Sequence, residues 1–320
     1  INSSNCNNVN VEITGRDSQT LYSSKSNFVT RINNNTRKQT KVATDDNAKG
    51  ERDEDFINIK MDPDVERACA KQHQLALVYY NQKKYNKAIV LWAELAKYKY
   101  APALKSIAMC YQDGTGLKKN LEQTMRFYED AARHGDSEAQ YDLSQMYRNG
   151  IGCTANDSLA QVWMRRALMQ KEPRAMIATA KEHIARNEHS KAREYMQEAA
   201  STGDAAAIYE YARYIEAYPA QSGVTENNTI VKLMRTAAEE EHREAQIYIM
   251  EHEYAAENYT EVYRIARELS LAKRHEGTKR MADCYFFGLG VKRDKKLAKD
   301  LYRTAANEGN KEAEEIIEGF

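Results

Sequence analysis

From about residue 61 onward, apolar positions recur at helical spacing, and the helical pattern itself repeats. With Ala139 of EAQYDLSQMY as the anchor, the equivalent positions are Lys71, Ala103, Ala139, Ala175, Ala207, Ala245, Gly277 and Ala313, spaced by 32, 36, 36, 32, 38, 32 and 36 residues. Four residues after successive anchors stand Leu75, Ile107, Leu143, Thr179, Tyr211, Ile249 and Met281. Eight after stand Tyr79, Tyr111, Tyr147, His183, Ile215, Glu253 and Tyr285. Steps of four place these columns on one face of a first helix.

Counting back from the next anchor defines a second helix. Fifteen before lie Ala88, Thr124, Ala160, Ala192, Ile230, Val262 and Ala298, mostly small or β-branched. Twelve before lie the large residues Leu91, Phe127, Trp163, Tyr195, Leu233, Ile265 and Leu301. Eight before lie Leu95, Ala131, Ala167, Ala199, Ala237, Leu269 and Ala305. Small residues beside large ones suit two helices crossing closely. The unit is therefore helix, turn, antiparallel helix. One such pair cannot bury both stripes, whereas stacked neighbours can. The sequence predicts seven pairs, with residues 312–320 starting a further helix.

The spacings differ because the turns differ. Units of 36 carry Gly114-Thr115-Gly116, Gly150-Ile151-Gly152 and Gly288-Leu289-Gly290, each followed by a candidate N-cap, Asn120, Asn156 or Asp294. Units of 32 lack the insert, and Asn86, Ser190 and Thr260 are their candidate caps. The unit of 38 carries the loop from Tyr218 to Gly223.

These residues resemble the Sel1-like repeat family. The match is fullest over Met281-Ala-Asp-Cys-Tyr285-Phe-Phe-Gly288-Leu-Gly290-Val291-Lys-Arg-Asp294, followed by Ala298, Leu301-Tyr302, Ala305-Ala306 and Gly309. Tyr111 to Gly135 and Tyr147 to Ala167 repeat it in register, so the resemblance spans about residues 101–173 and 277–311. The units starting near Lys71, Ala175 and Ala245 lack the Gly-x-Gly turn and look closer to tetratricopeptide repeats. The resemblance implies an all-α fold, a right-handed α-solenoid of antiparallel helix pairs over residues 61–320. It also implies an adaptor that binds other proteins.

Residues 1–60 read differently. Asn, Ser and Thr dominate, as in Ile32-Asn33-Asn34-Asn35-Thr36, and apolar residues keep no lasting period. Such a segment buries too little surface to offset its ordering entropy, so it reads as disordered. Val9 to Ile13 alternates like a strand but is too short to stand alone.

Charge narrows the partners. Lys+Arg and Asp+Glu are both 47. A balanced chain has no bulk attraction to nucleic acid or anionic membrane, which leaves only local patches. The most apolar stretch, Ala88 to Ala96, is too short to span a bilayer and contains Glu94. The cysteines Cys6, Cys69, Cys110, Cys153 and Cys284 form no CxxC pair. They suggest neither a zinc site nor a disulfide framework and favour a reducing, cytoplasmic setting. Cys110 and Cys284 share one repeat position and read as core.

Candidate chemistry is thin. The Gly-x-Gly turns join helices rather than a strand and a helix, so they are turns rather than phosphate loops. His252-Glu253 begins like a zinc-protease motif, but residue 256 is Ala. The sequence offers no nucleophile–base pair, paired carboxylates or cofactor loop. The expectation is a non-enzymatic scaffold without cofactor or metal; the alternative is the non-catalytic arm of a larger enzyme such as a kinase. Its partner, a peptide or helix, is expected in the concave groove lined by the first helices. The candidate contacts lie two, six and nine residues after the anchors: Lys105, Tyr141, Arg148, Lys181, Tyr209, Arg213, Glu251 and Tyr254. Met109, Gln145, Ile177, Glu216 and Ile247 belong to the same rows. Tyr and Arg dominate binding hot spots, and the row from Lys105 to Arg213 is basic.

Overall fold

A computed structural model describes residues 61–224 and 228–319. The Asn-rich segment, the alternating stretch at 9–13 and Cys6 lie outside the described residues. Those described form two compact units of helices, residues 61–172 and 173–319, and no strand occurs among them.

The first unit holds three antiparallel pairs. These are α1 (Pro63–Asn81) with α2 (Tyr85–Ala96), α3 (Ala101–Asp113) with α4 (Leu121–Arg133), and α5 (Ser137–Asn149) with α6 (Asp157–Met169). The second unit holds four pairs. They are α7 (Pro173–Ala185) with α8 (His189–Ser201), α9 (Ala205–Ala217) with α11 (Thr229–Glu239), α12 (Arg243–Ala255) with α13 (Tyr259–Leu271), and α14 (His275–Phe287) with α15 (Lys295–Asn307). A single turn, α10 (Pro219–Ser222), interrupts the second pair, and α16 (Lys311–Glu318) closes the unit. The all-α repeat of paired antiparallel helices is thus as the columns predict.

Burial follows the small columns. The anchors from Ala103 to Ala313 are buried throughout, as are Ala88, Thr124, Ala160, Ala192, Val262 and Ala298. Two columns escape the sequence reading. Five residues after the anchor, Ala76, Ala108, Ser144, Ala180, Ala212, Met250 and Ala282 are buried in every unit. Eleven before the next anchor, so are Trp92, Tyr128, Met164, Met196, Met234, Ala266 and Tyr302. In the column chosen from sequence, Trp163 and Ile265 are buried, while Leu91, Phe127, Tyr195, Leu233 and Leu301 are half-buried. Adjacent columns on a helix are 100° apart, so the stripe is wider than one line and its deepest line is displaced by one residue. Leu75 is exposed, although its column is buried at Ile107, Leu143 and Ile249.

One backbone hydrogen bond unites the long and short turns. The N–H of the residue entering the second helix donates to the carbonyl eight residues after the anchor. It is Asn120 to Tyr111 (2.9 Å), Asn156 to Tyr147 (2.8 Å) and Asp294 to Tyr285 (2.9 Å) in the glycine turns. It is Lys84 to Tyr79 (2.9 Å), Glu188 to His183 (2.8 Å) and Asn258 to Glu253 (2.9 Å) in the short ones. The side chains of Asn120, Asn156 and Asp294 cap their helices as expected. The expected caps Asn86, Ser190 and Thr260 do not: those helices start earlier, at Tyr85, His189 and Tyr259, without a side-chain cap bond. Left-handed Lys83, Asn187 and Glu257 (φ 59°, 61° and 57°) reverse the chain there instead.

The second glycine of each long turn is fixed by contact. A Cβ at Gly116 would lie 2.6 Å from Tyr85 Cβ, at Gly152 2.4 Å from the Leu121 carbonyl oxygen, and at Gly290 2.5 Å from the Tyr259 carbonyl oxygen. Each turn is therefore pressed onto the start of the preceding unit's second helix. No larger residue permits that approach.

Candidate interaction face on the first helices

The turn between units sets how first helices stand side by side. Cap side chains of Asp136, Asp204, His242 and Asn310 accept the N–H of the following anchor, Ala139, Ala207, Ala245 and Ala313. Successive first helices are then joined by charge. In the first unit Lys105 Nζ lies 2.9 Å from Glu138 Oε1 and 3.7 Å from Asp136 Oδ2. Burial pushes the Asp136 carboxyl above its usual range, against the pull of Lys105 and of the capped N–H. Tyr141 is half-buried and Arg148 is exposed at the end of α5. Beside them a cleft of about 150 Å³ opens among α3, α4 and α5, lined by Gln112, Thr124, Tyr128, Asp142, Gln145 and Ile151.

In the second unit Lys181 on α7 meets Glu210 on α9 at 2.9 Å. Arg213 pairs with Glu216 on its own helix. Tyr209 stacks on His242, ring centres 4.5 Å apart. Glu251 and Tyr254 converge on one partner, Arg280 of α14. Its guanidinium contacts both Glu251 oxygens at 2.5 and 2.6 Å and lies 4.3 Å over the Tyr254 ring.

Arg280 also holds buried Asp283 at 3.2 Å, and Lys279 bridges Asp283 (3.2 Å) to Glu312 (2.9 Å) on α16. Tyr302 donates to Asp283 at 2.7 Å. Burial and the Asp283 carboxylate raise the Tyr302 phenol far above its usual range. The result is a charged and aromatic band across α12, α14 and α16.

The structure thus gathers Glu251 with Tyr254 and gives Lys105, Lys181, Tyr209 and Arg213 separate neighbours. In the second unit the row is charge-balanced rather than basic. The columns two and six after the anchor also differ in kind. Ile177 is buried and Tyr141, Tyr209 and Ile247 are half-buried between helices, so the former column is mostly packing. Met109, Lys181, Arg213 and Glu251 are exposed. Sequence reading missed Arg280, Asp283 and the acidic partners Glu138 and Glu210. The register does contain them. Lys105 with Glu138, and Lys279 with Glu312, occupy the same offsets: two after one anchor, one before the next. Lys181 with Glu210, and Glu251 with Arg280, share another pair of offsets with the charges exchanged.

Among the described residues no three His, Cys, Asp or Glu converge to hold a metal, and no helix is long and apolar enough to cross a membrane. The four described cysteines are free. Burial raises the thiols of Cys69 and Cys284 to about 11 and of Cys110 to about 12, so these pack as apolar groups.

Comparison with known proteins agrees with this architecture. The Sel1 repeat model matches residues 95–136, 137–171, 183–204 and 276–310. The third match falls in a unit without the Gly-x-Gly turn. Chitin synthase regulatory factor 3 of Schizosaccharomyces pombe is 34% identical over 99 residues, which spans 30% of this chain and 11% of that protein. A protective antigen of uropathogenic Escherichia coli superposes with a TM-score of 0.52 at 19% identity, over 79% of this chain and 58% of that one. That likeness shows the fold. A Sel1 repeat protein of Oxalobacter formigenes gives a TM-score of 0.45 at 22% identity, over 75% of this chain and 86% of its own.

Proposed function

We propose that this chain, a Sel1-repeat protein, is a non-catalytic scaffold that holds a partner peptide or helix along the face made by the first helices of its second unit. The observation that carries the reading is the Glu251–Arg280–Tyr254 cluster, where an arginine and a tyrosine are held in fixed geometry beside exposed positions on neighbouring first helices. A tyrosine ring held in place by a guanidinium offers apolar area at little ordering cost, which suits a hot spot.

The cations that complete the face in the second unit are Lys181 and Arg213, both exposed. Exposed ion pairs such as Lys181–Glu210 are worth only about 0–1 kcal/mol. A partner carboxylate therefore displaces Glu210 cheaply, and an acidic or aromatic segment fits best. The fission-yeast relative is named as a regulatory factor, in keeping with a role exerted on another protein. The free, mostly buried cysteines support a reducing, cytoplasmic setting.

The experiment is capture from the source cell with the wild type and with a K181E/R213E variant of verified helicity. The variant is expected to lose partners that the wild type retains, with a reduced salt dependence. Retention of every partner at wild-type affinity and salt dependence would move the binding surface elsewhere.

A further inference from the structure

The turn between α14 and α15 differs from the other two glycine turns. Phe287, just before Gly288, is 60% exposed and packs edge-on against Phe286, ring centres 4.9 Å apart. Lys292, Arg293, Lys295 and Lys296 follow at once, and Lys299 and Arg303 continue along α15. Leu297 is also exposed. Six cations thus stand against two carboxylates, and both carboxylates are engaged. Asp294 caps α15 by accepting from Lys296 and Leu297 N–H, and Asp300 pairs with Arg303 at 3.2 Å.

Two cations are anchored to the aromatic side of the turn. Arg293 Nε donates to the Phe286 carbonyl at 2.9 Å, and the Lys295 ammonium lies 5.5 Å over the Phe286 ring. Lys292 and Lys296 are exposed and have no ion-pair partner among the described residues. Gly290 lies against Tyr259 and Thr260 at the start of α13; Glu257 stands in the turn before that helix, and Glu261 on its first turn is bound by Arg264. The turn at Gly114 has Lys118 and Lys119 but no exposed aromatic, and the turn at Gly150 has exposed Ile151 but no cation before its cap.

Folding does not account for this set. The first turn of a helix carries the positive end of its dipole and favours acidic residues, yet Lys295 and Lys296 occupy it. An exposed Phe likewise contributes little to the core.

We propose that this turn and the first half of α15 form a peripheral docking surface for an anionic lipid bilayer. Phe287 enters the interface, and Lys292, Lys295 and Lys296 lie over the headgroups. Phe287 is exposed at the last position of α14, and an exposed aromatic flanked by cations suits the interface of an anionic bilayer. A chain of zero net charge meets an anionic membrane through a local patch rather than by bulk attraction. The contact is peripheral, since no described helix spans a bilayer. It is independent of the first-helix face.

The test is sedimentation of the full chain with phosphatidylcholine vesicles and with phosphatidylcholine–phosphatidylserine vesicles, at low and high salt. The wild type is expected to bind only the anionic vesicles, and less at high salt. At about 1 kcal/mol for each cation near the surface, a K292Q/K296Q variant should bind about thirty-fold more weakly. A separate F287S variant should also lose affinity while keeping its salt dependence. All three positions are exposed, so an unchanged melting temperature confirms folding. Equal binding to neutral vesicles, no binding to anionic ones, or variants that bind like the wild type would overturn the proposal. So would capture by a poly-glutamate peptide without vesicle binding, which would assign the patch to an acidic protein.

Discussion

Gly152 lies against the Leu121 carbonyl so closely that a Cβ would come within 2.4 Å of the oxygen. Gly203 has a similar left-handed backbone, φ 84° against 74°, but nothing within 4 Å of its Cβ position. The pair separates conformational strain from steric contact. Gly203→Ala should cost about 1 kcal/mol, from the left-handed conformation alone. Gly152→Ala adds overpacking against backbone and should cost about 3 kcal/mol or more. Denaturant unfolding of the two variants checks the difference, and equal losses would mean that the turn is not pressed onto α4.

The residue four before each anchor is left-handed in all seven units. Glycine fills it at Gly135, Gly203 and Gly309, whereas Lys99, Lys171, Glu241 and Lys273 adopt the same conformation with side chains. Lys273 is exposed with φ 57°. Lys273→Gly should therefore stabilise the protein by about 0.5–1 kcal/mol, the relief of strain outweighing the added freedom of the unfolded chain. Thermal unfolding reads this as a raised melting temperature.

Neighbouring residues on α11 test which column is the core. Met234 is fully buried, while Leu233, which the sequence pattern selects, is half-buried. Met234→Ala should cost about 2–5 kcal/mol. Leu233→Ala should cost clearly less. A reversed order in chemical denaturation would contradict the packing described.

Much of the architecture is legible because one spacing recurs: the anchors, the small columns and the glycine turns all follow from it. Leu233 and Met234 show where the pattern blurs. Both are apolar, and hydrophobicity alone does not decide which of two adjacent residues points inward. Asn86, Ser190 and Thr260 misled for another reason. In the short units a backbone bond and a left-handed residue close the turn, so no cap residue is required. The face of the first helices was only half legible. Lys181, Arg213 and Glu251 stand out as exposed polar positions, but their partners lie 29, 3 and 29 residues away. Only the register between repeats relates the distant ones.

Glu253 gives the second unit a pH response. It is almost wholly shielded, and Arg235 Nη2 donates to it at 2.7 Å, as does Asn258 Nδ2. The Arg235 hydrogen bond holds the carboxyl below its usual value of 4.5. A depressed folded-state pKa means stability that is fully present above the unfolded value and lost as pH falls through the folded one. Melting temperature should therefore fall on acidification from about pH 5 downward. Glu253→Gln should be less stable at neutral pH and show a shallower acid decline. An identical acid profile in both proteins would remove Glu253 from the account.

The central claim is that the partner lies along the first helices. It is tested most directly by placing a photo-crosslinking amino acid, one variant at a time, at exposed positions of adjoining helices. Lys181 and Arg213 mark the first helices, and Glu194 and Glu198 mark the second helix between them. After irradiation with the captured partner, adducts are predicted from Lys181 and Arg213 and not from Glu194 or Glu198. Adducts from the second helix alone would contradict the account.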